Sequence, residues 1–121
     1  MIAQEQHVQS ECLRVGQVLA RVGDKWSMPI MMMLRNGPLR FGEIRRLLPA
    51  VSQRILTLSL RSLERDGLVS RTEFNTKPPR VDYALTELGH SLRESMTSLG
   101  TWAHGNIDAI EHARENFDQR G

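Results

Sequence analysis

Apolar residues along this chain recur first at helical spacing, then in short extended runs, then at helical spacing again, and these switches outline the fold. Leu13, Val15, Val18, Leu19 and Val22 follow a helical pattern behind Ser10, a good capping residue. The first helix is therefore predicted from about Glu11 to Val22, ended by Gly23, with residues 1–9 as a loose polar leader. Asp24 is the expected cap of the next helix. Its run Trp26, Met28, Ile30, Met31, Met32, Met33 and Leu34 is apolar on several sides, which predicts burial. Pro29 is expected in its second turn as a distortion, and Asn36-Gly37-Pro38 stops it.

Leu39-Arg40 reads as a short strand. A small apolar helix from Phe41 to Leu48 follows, then a turn at Pro49-Ala50-Val51. A second helix runs from Ser52 to Asp66, with Ile55, Leu56, Leu60 and Leu63 expected on its inward face and Gly67 as its left-handed terminator. Leu68 to Asn75 and Val81 to Leu85 read as two strands joined by a loop that carries Lys77-Pro78-Pro79-Arg80. Thr86 and Glu87 open a long helix to about residue 116, striped by Leu88, Leu92, Met96, Leu99, Ala103, Ile107 and Ile110. Gly100 and Gly105 interrupt it as candidate kinks, each weakening a helix interior by up to about 1 kcal/mol.

Parts in this order make a winged helix-turn-helix: a mainly α chain with a small β-wing (α+β). The helix-turn-helix spans residues 41–66, the wing 68–85 and the last helix 86–116, within one domain over 10–121. The C-terminal stripe is longer than a small core can cover. With the first helix it is the expected homodimer seam, through Leu13, Leu92, Met96, Leu99, Trp102 and Ala103. The other reading is that it packs back on its own domain.

Composition narrows the classes. The one cysteine in 121 residues, Cys12, excludes an internal disulfide and a multi-cysteine metal framework. No apolar run approaches the roughly 18–20 residues of a membrane span. The N-terminus lacks a secretion pattern, so a cytoplasmic protein with no membrane partner is expected. An enzyme is disfavoured because His7, His90, His104 and His112 are scattered, Cys12 has no evident base, and no phosphate loop or metal-ligand spacing is present. No cofactor and no metal are expected.

Net charge is only +2, but it is unevenly spread. Residues 40–80 hold nine Lys/Arg against four Asp/Glu, a net of +5, and the remainder a net of −3. A basic centre between acidic ends suits a domain that meets a polyanion on one face, here double-stranded DNA. Nearly all the cations are arginine, suited to bidentate contacts with phosphate or guanine. With the inward face of the second helix assigned, its outward set is Gln53, Arg54, Thr57, Leu58 and Arg61. Gln53 can pair with adenine and Arg54 with guanine, while Thr57 or Leu58 can touch a thymine methyl. Arg40, Arg45 and Arg46 suit phosphate contacts, and Ser52 is a helix cap whose neighbouring amides suit a phosphate. Lys77 and Arg80 at the wing tip can enter a minor groove or clasp the backbone.

Several segments, taken together, resemble the HxlR-type winged helix-turn-helix regulators, relatives of the MarR fold. They are Gly23-Asp24-Lys25-Trp26, the run from Gly37 to Ile44, Val51-Ser52, the run from Leu60 to Val69, Pro79-Arg80-Val81-Asp82-Tyr83 and Leu85-Thr86-Glu87-Leu88-Gly89. The resemblance covers Cys12 to about Trp102. It implies a dimeric bacterial transcription factor joined through its first and last helices, with Lys25-Trp26 and Arg40-Phe41 serving the fold and contacts to the DNA backbone. Members often carry a cysteine at the start of the first helix, and several use it to sense oxidants or electrophiles; Cys12 aligns there. Leu13 stands where proline commonly follows that cysteine, and Asp24 where glycine is frequent.

Behind a Ser10 cap, Cys12 falls in a first helical turn, where the helix dipole and nearby Arg14 favour thiolate and Glu11 opposes it. Two roles stay open for it: a redox sensor whose resolving sulfur comes from the other protomer or a small thiol, or a small apolar group in the dimer seam. The rival functions are a small-molecule-responsive regulator, with the methionine cluster Met28, Met31, Met32 and Met33 lining a cavity, and a winged helix used for protein contact. More often such a cluster is core.

Overall fold

In the computed structural model, which describes residues 2–121 with side chains from residue 4 onward, helix α1 runs from Ile2 to Gly23. The leader expected over residues 1–9 is thus helical from Ile2; Met1 lies outside the described residues. The physical reason is local. Ala3, Gln4, Glu5 and Gln6 are strong helix formers, no glycine or proline interrupts them, and Glu5 in the first turn suits the helix dipole. Ser10 therefore lies inside the helix instead of capping it. Every described residue of α1 before Arg21 is exposed.

Helix α2 (Ser27–Met33) is capped by Trp26, not by Asp24. The Asp24 carboxylate instead accepts a hydrogen bond from the Ser27 hydroxyl at 2.6 Å. Pro29 is the third helical residue, where a backbone N–H has no partner within the helix, so the ring costs no hydrogen bond. Ile30, Met31 and Leu34 are buried at the centre of the core.

Strand β1 (Leu39–Arg40) leads directly into α3 (Phe41–Leu47), and the Glu43 carboxylate accepts from the Arg40 backbone N–H at 3.0 Å. After the turn, in which Val51 is buried, α4 (Gln53–Arg65) starts behind Ser52. Its end is closed by a Schellman arrangement: Gly67 at φ +76°, the Gly67 N–H on Glu64 O at 3.0 Å, and the Leu68 N–H on Leu63 O at 3.0 Å. Leu63 and Leu68, both buried, supply its apolar contact.

Strands β2 (Val69–Phe74) and β3 (Arg80–Leu85) pair antiparallel from Val69–Leu85 to Phe74–Arg80. With β1 they form a three-stranded sheet in the order β1-β3-β2, in which Leu39 pairs Tyr83 and Arg40 pairs Asp82. Thr86 then caps α5 (Glu87–Arg120): its hydroxyl accepts from the Gly89 N–H at 3.0 Å and donates to Gly67 O at 2.6 Å. One side chain thereby ties the end of α4 to the start of α5. The helix continues through Gly100 and Gly105; at Gly100 the missing side chain leaves room for Met28 Cε, 3.2 Å from where a Cβ would stand. This is a mainly α chain with a small antiparallel sheet, a winged helix-turn-helix of the MarR-like fold.

The core joins α2, α3, α4, the base of the wing and one position of α5, with Ile44, Leu56, Leu60, Leu63, Val69, Leu85 and Met96 among its members. Met96, expected in a dimer seam, is fully buried within its own chain, because it falls where α5 crosses α2. Leu92 is half-buried against the same core. Ile55, expected inward, is 41% exposed. It lies one position off the buried row Leu56, Ser59, Leu60, Leu63, and Ser59 takes the inward place.

Candidate nucleic-acid interface

Helix α4 has two chemically distinct faces. Leu56, Ser59, Leu60 and Leu63 are buried; at 100° per residue Arg54, Leu58 and Arg61 fall on the opposite side and Thr57 on the flank, while Gln53, in the first turn, falls on the side of Leu60, and all five are exposed. Arg54 and Arg61 enter no ion pair and no hydrogen bond among the described residues, so both guanidiniums are free to meet a ligand. Leu58 stands between them, 49% exposed. The same stripe continues at Arg65, which the sequence reading left out; spacings of four, three and four from Arg54 through Leu58 and Arg61 put it there.

Ser52 is the helix cap, accepting from the Ile55 N–H at 3.2 Å, so its hydroxyl is committed to the backbone. Thr57 likewise turns its hydroxyl to Gln53 O at 2.8 Å, which leaves its methyl as the available contact. Across the turn, Arg45 Nη1 donates to Gln53 Oε1 at 3.1 Å. That bond fixes the amide at the entry of α4 with its NH₂ group as the remaining donor and one lone pair on the oxygen unused. Arg46 donates back to Gly42 O at 3.3 Å, and Arg40 is exposed at the start of α3. Arg45 and Arg46 thus belong to the helix that precedes α4 and Arg40 to its N-cap, and Arg45 reaches the first residue of α4. Lys25 is elsewhere in the fold, in the α1–α2 turn with its ammonium 5.2 Å from the centroid of the Trp26 ring. No hydrogen bond or ion pair joins it to α3 or α4 among the described residues.

In the wing, Arg80 is not a free tip residue. It is the first residue of β3, its guanidinium carbon is 4.4 Å from the Phe74 ring centroid, and its Nε faces Asp82 Oδ1 at 3.2 Å. Those two atoms are shut off from solvent and make no aligned hydrogen bond, while Arg80 Nη2 donates to Asp82 Oδ2 at 3.5 Å. On β2, Arg71 pairs with Glu73, and Glu73 first and Tyr83 second raise its pKa above the ordinary guanidinium value. Lys77, in the exposed loop at the tip, is the wing cation that no carboxylate neutralises among the described residues.

Away from α4, many apolar side chains of α1 and α5 face solvent, those of α1 on more than one side of the helix. On α1 these are Val8, Leu13, Val15, Val18 and Leu19; on α5 they include Leu88, Leu99, Trp102, Ile107 and Phe117, with Ala103 exposed among them. An open cleft of about 960 Å³ lies between α1 and the body of the domain, floored by Leu68, Leu88 and Leu92. A second hollow, of about 480 Å³, lies along the end of α5 beside Phe117. Met28, Met31, Met32 and Met33 line neither cavity; Met31 is core and the others are half-buried.

Cys12 is exposed on α1. Because the helix starts at Ile2, the thiol stands ten residues, about 15 Å, from the N-terminal amides that the sequence reading placed beside it. Arg14 is engaged by Glu11 at 2.6 Å.

Against known proteins, the family model described as an HxlR-like helix-turn-helix matches residues 21–111. The chain belongs to the HxlR family. The HTH-type transcriptional regulator YybR of Bacillus subtilis is 40% identical over 95 residues, covering 78% of this chain and 76% of its own. The redox regulator HypR in its reduced form superposes with a TM-score of 0.75 at 38% identity, covering 82% of this chain and 98% of that one. The diamide-treated YodB of B. subtilis superposes at 0.70 with 32% identity, covering 76% and 91%. These likenesses make the protein an HTH-type transcriptional regulator. The family match takes in α4 and the whole wing, but it leaves out Cys12 and most of α1. No helix among the described residues is long and apolar enough to cross a membrane.

Proposed function

We propose that this HxlR-family regulator binds double-stranded DNA sequence-specifically as a homodimer on an inverted repeat. In this reading α4 enters the major groove, with Gln53, Arg54, Thr57, Leu58 and Arg61 toward the base edges. Arg40, Arg45, Arg46 and the amides behind Ser52 hold phosphates, and Lys25 is a more distant backbone contact. Lys77 and Arg80 track the flanking groove from the wing. The observation that carries the reading is the outward face of α4, where Arg54 and Arg61 stand exposed and unpaired on a helix whose other face is core. An exposed arginine with no protein partner keeps all five donors for guanine or phosphate.

The dimer reading rests on α1 and α5. Trp102 is 60% exposed and Leu13 70%, and apolar side chains follow one another along both helices. A surface of that kind is unfavourable in water and is covered when two copies pair through it. Leu13, Leu99, Trp102 and Ala103 belong to the seam in this reading, Leu92 to its edge, and Met96 not at all.

A thiol-dependent response through Cys12 is the second part of the proposal, supported by its exposure on α1 and by the similarity to the redox regulator HypR. With one cysteine per chain, a disulfide joins Cys12 either to Cys12 of the second protomer or to a small thiol. Two thiols then lose two protons and two electrons to the oxidant.

Hydroxyl-radical footprinting on DNA from immediately upstream of the gene tests the arrangement. Two protected patches on one face of the duplex, centred about one helical turn (roughly 34 Å) apart, are expected. A single patch, or uniform weak protection, would contradict it.

A further inference from the structure

Helix α1 stands off the domain. None of its described residues is buried, and the open cleft lies between its inner side and the floor formed by Leu68, Leu88 and Leu92. One polar link crosses from α1 to the end of α4: Arg21 Nε donates to Asp66 Oδ2 at 2.8 Å, between residues 45 positions apart. Both side chains are half-buried, at 28% and 35% exposure, so solvent screens this pair less than a fully exposed one.

Asp66 is the C-cap of α4, followed at once by the Gly67 turn, so its carboxylate is attached to the most rigidly closed part of that helix. A negative charge there opposes the helix dipole, whose C-terminal end is itself negative. The carboxylate is therefore unfavourable for α4 alone and favourable only with a cation against it. Arg21 is that cation, and it comes from the helix that carries the apolar seam.

We propose that Arg21 and Asp66 are positioning residues that fix the angle between α1 and α4, and so the separation of the two recognition helices in the dimer. The inference rests on the dimeric DNA-binding reading above. The pair touches no DNA in this account. Its effect is confined to a site that both protomers must reach at once, because a protomer on one half-site can reorient freely while a dimer on two cannot.

The test uses the full chain and the duplex from immediately upstream of its gene, beside the same duplex with one arm of its inverted repeat scrambled. R21Q and D66N are each expected to lose about three- to tenfold in affinity on the two-arm duplex and less than twofold on the one-arm duplex. The charge-swapped double variant R21D/D66R is expected to recover most of that loss. Equal losses on both duplexes, no loss on either, or a double variant no better than the singles would overturn the proposal. Dimer dissociation and thermal unfolding are measured in parallel, and a variant that fails in either is replaced in the comparison by the other single. If the parent protein itself binds both duplexes equally, the two-arm reading fails first and takes the proposal with it.

Discussion

A Cβ placed on Gly89 would stand 2.1 Å from the carbonyl oxygen of Leu68. The first turn of α5 lies directly on the backbone where α4 passes into the wing, and Thr86 fastens the same corner through Gly67 O and the Gly89 N–H. No side chain fits at Gly89 without moving that backbone. Gly89→Ala is expected to destabilise the fold by about 2–3 kcal/mol, read from the midpoint of urea unfolding. A change within about 0.5 kcal/mol would show that the corner gives way freely.

Met96 and Trp102 lie six residues apart on α5 and should behave oppositely. Met96→Ala opens the core and is expected to cost about 2–4 kcal/mol of stability. Trp102→Glu removes an exposed apolar group, so it should leave the core intact and shift the sedimentation equilibrium toward monomer. A Trp102→Glu protein that remains dimeric at micromolar concentration would place the seam elsewhere.

Arg54 and Lys77 separate base reading from backbone contact. Arg54→Ala should cost about 1–3 kcal/mol on the preferred duplex and relax specificity at one position. Lys77→Ala should weaken every duplex alike and reduce the salt slope by about one. Arg80→Ala is expected to reduce that slope less than Lys77→Ala does, since Asp82 already sits against its charge. Binding isotherms over a salt series measure all three.

Much of this was legible in the sequence because it was written locally. Ser52, Thr86 and Gly67 announce the ends of α4 and α5 by their own chemistry, and each stands where its capping preference puts it. The exposed arginines of α4 follow from helical spacing, Arg65 included, which continues the row of Arg54, Leu58 and Arg61. What went astray depended on competition or on distant partners. Ser10 looked like a cap, yet nothing before it stops a helix, so α1 continued to Ile2 and Cys12 moved away from the N-terminal amides. Met96 shares one stripe with Leu99, and only the crossing of α2 decides which of them is core. Arg80 has Asp82 on its own face two residues along β3, and the strand register sets Phe74 across from it, so its charge is engaged.

Cys12 offers a clean test of the thiol proposal. Cys12→Ser should bind the upstream duplex as tightly as the reduced parent and keep that affinity in the presence of diamide or peroxide. The parent should change affinity under the same oxidant and recover with a reducing agent. Identical oxidant responses in the two proteins would assign Cys12 to packing alone.

Whether the outward face of α4 reads DNA is decided by titrating the purified protein against the duplex from immediately upstream of its gene, beside a random duplex of equal length, across a range of salt. The upstream duplex is expected to be preferred by at least tenfold at every salt concentration, and affinity to fall steeply as salt rises because arginines displace counterions from phosphates. Absence of binding to either duplex at low salt would contradict that reading, and would point to a winged helix that uses its α4 face for a protein.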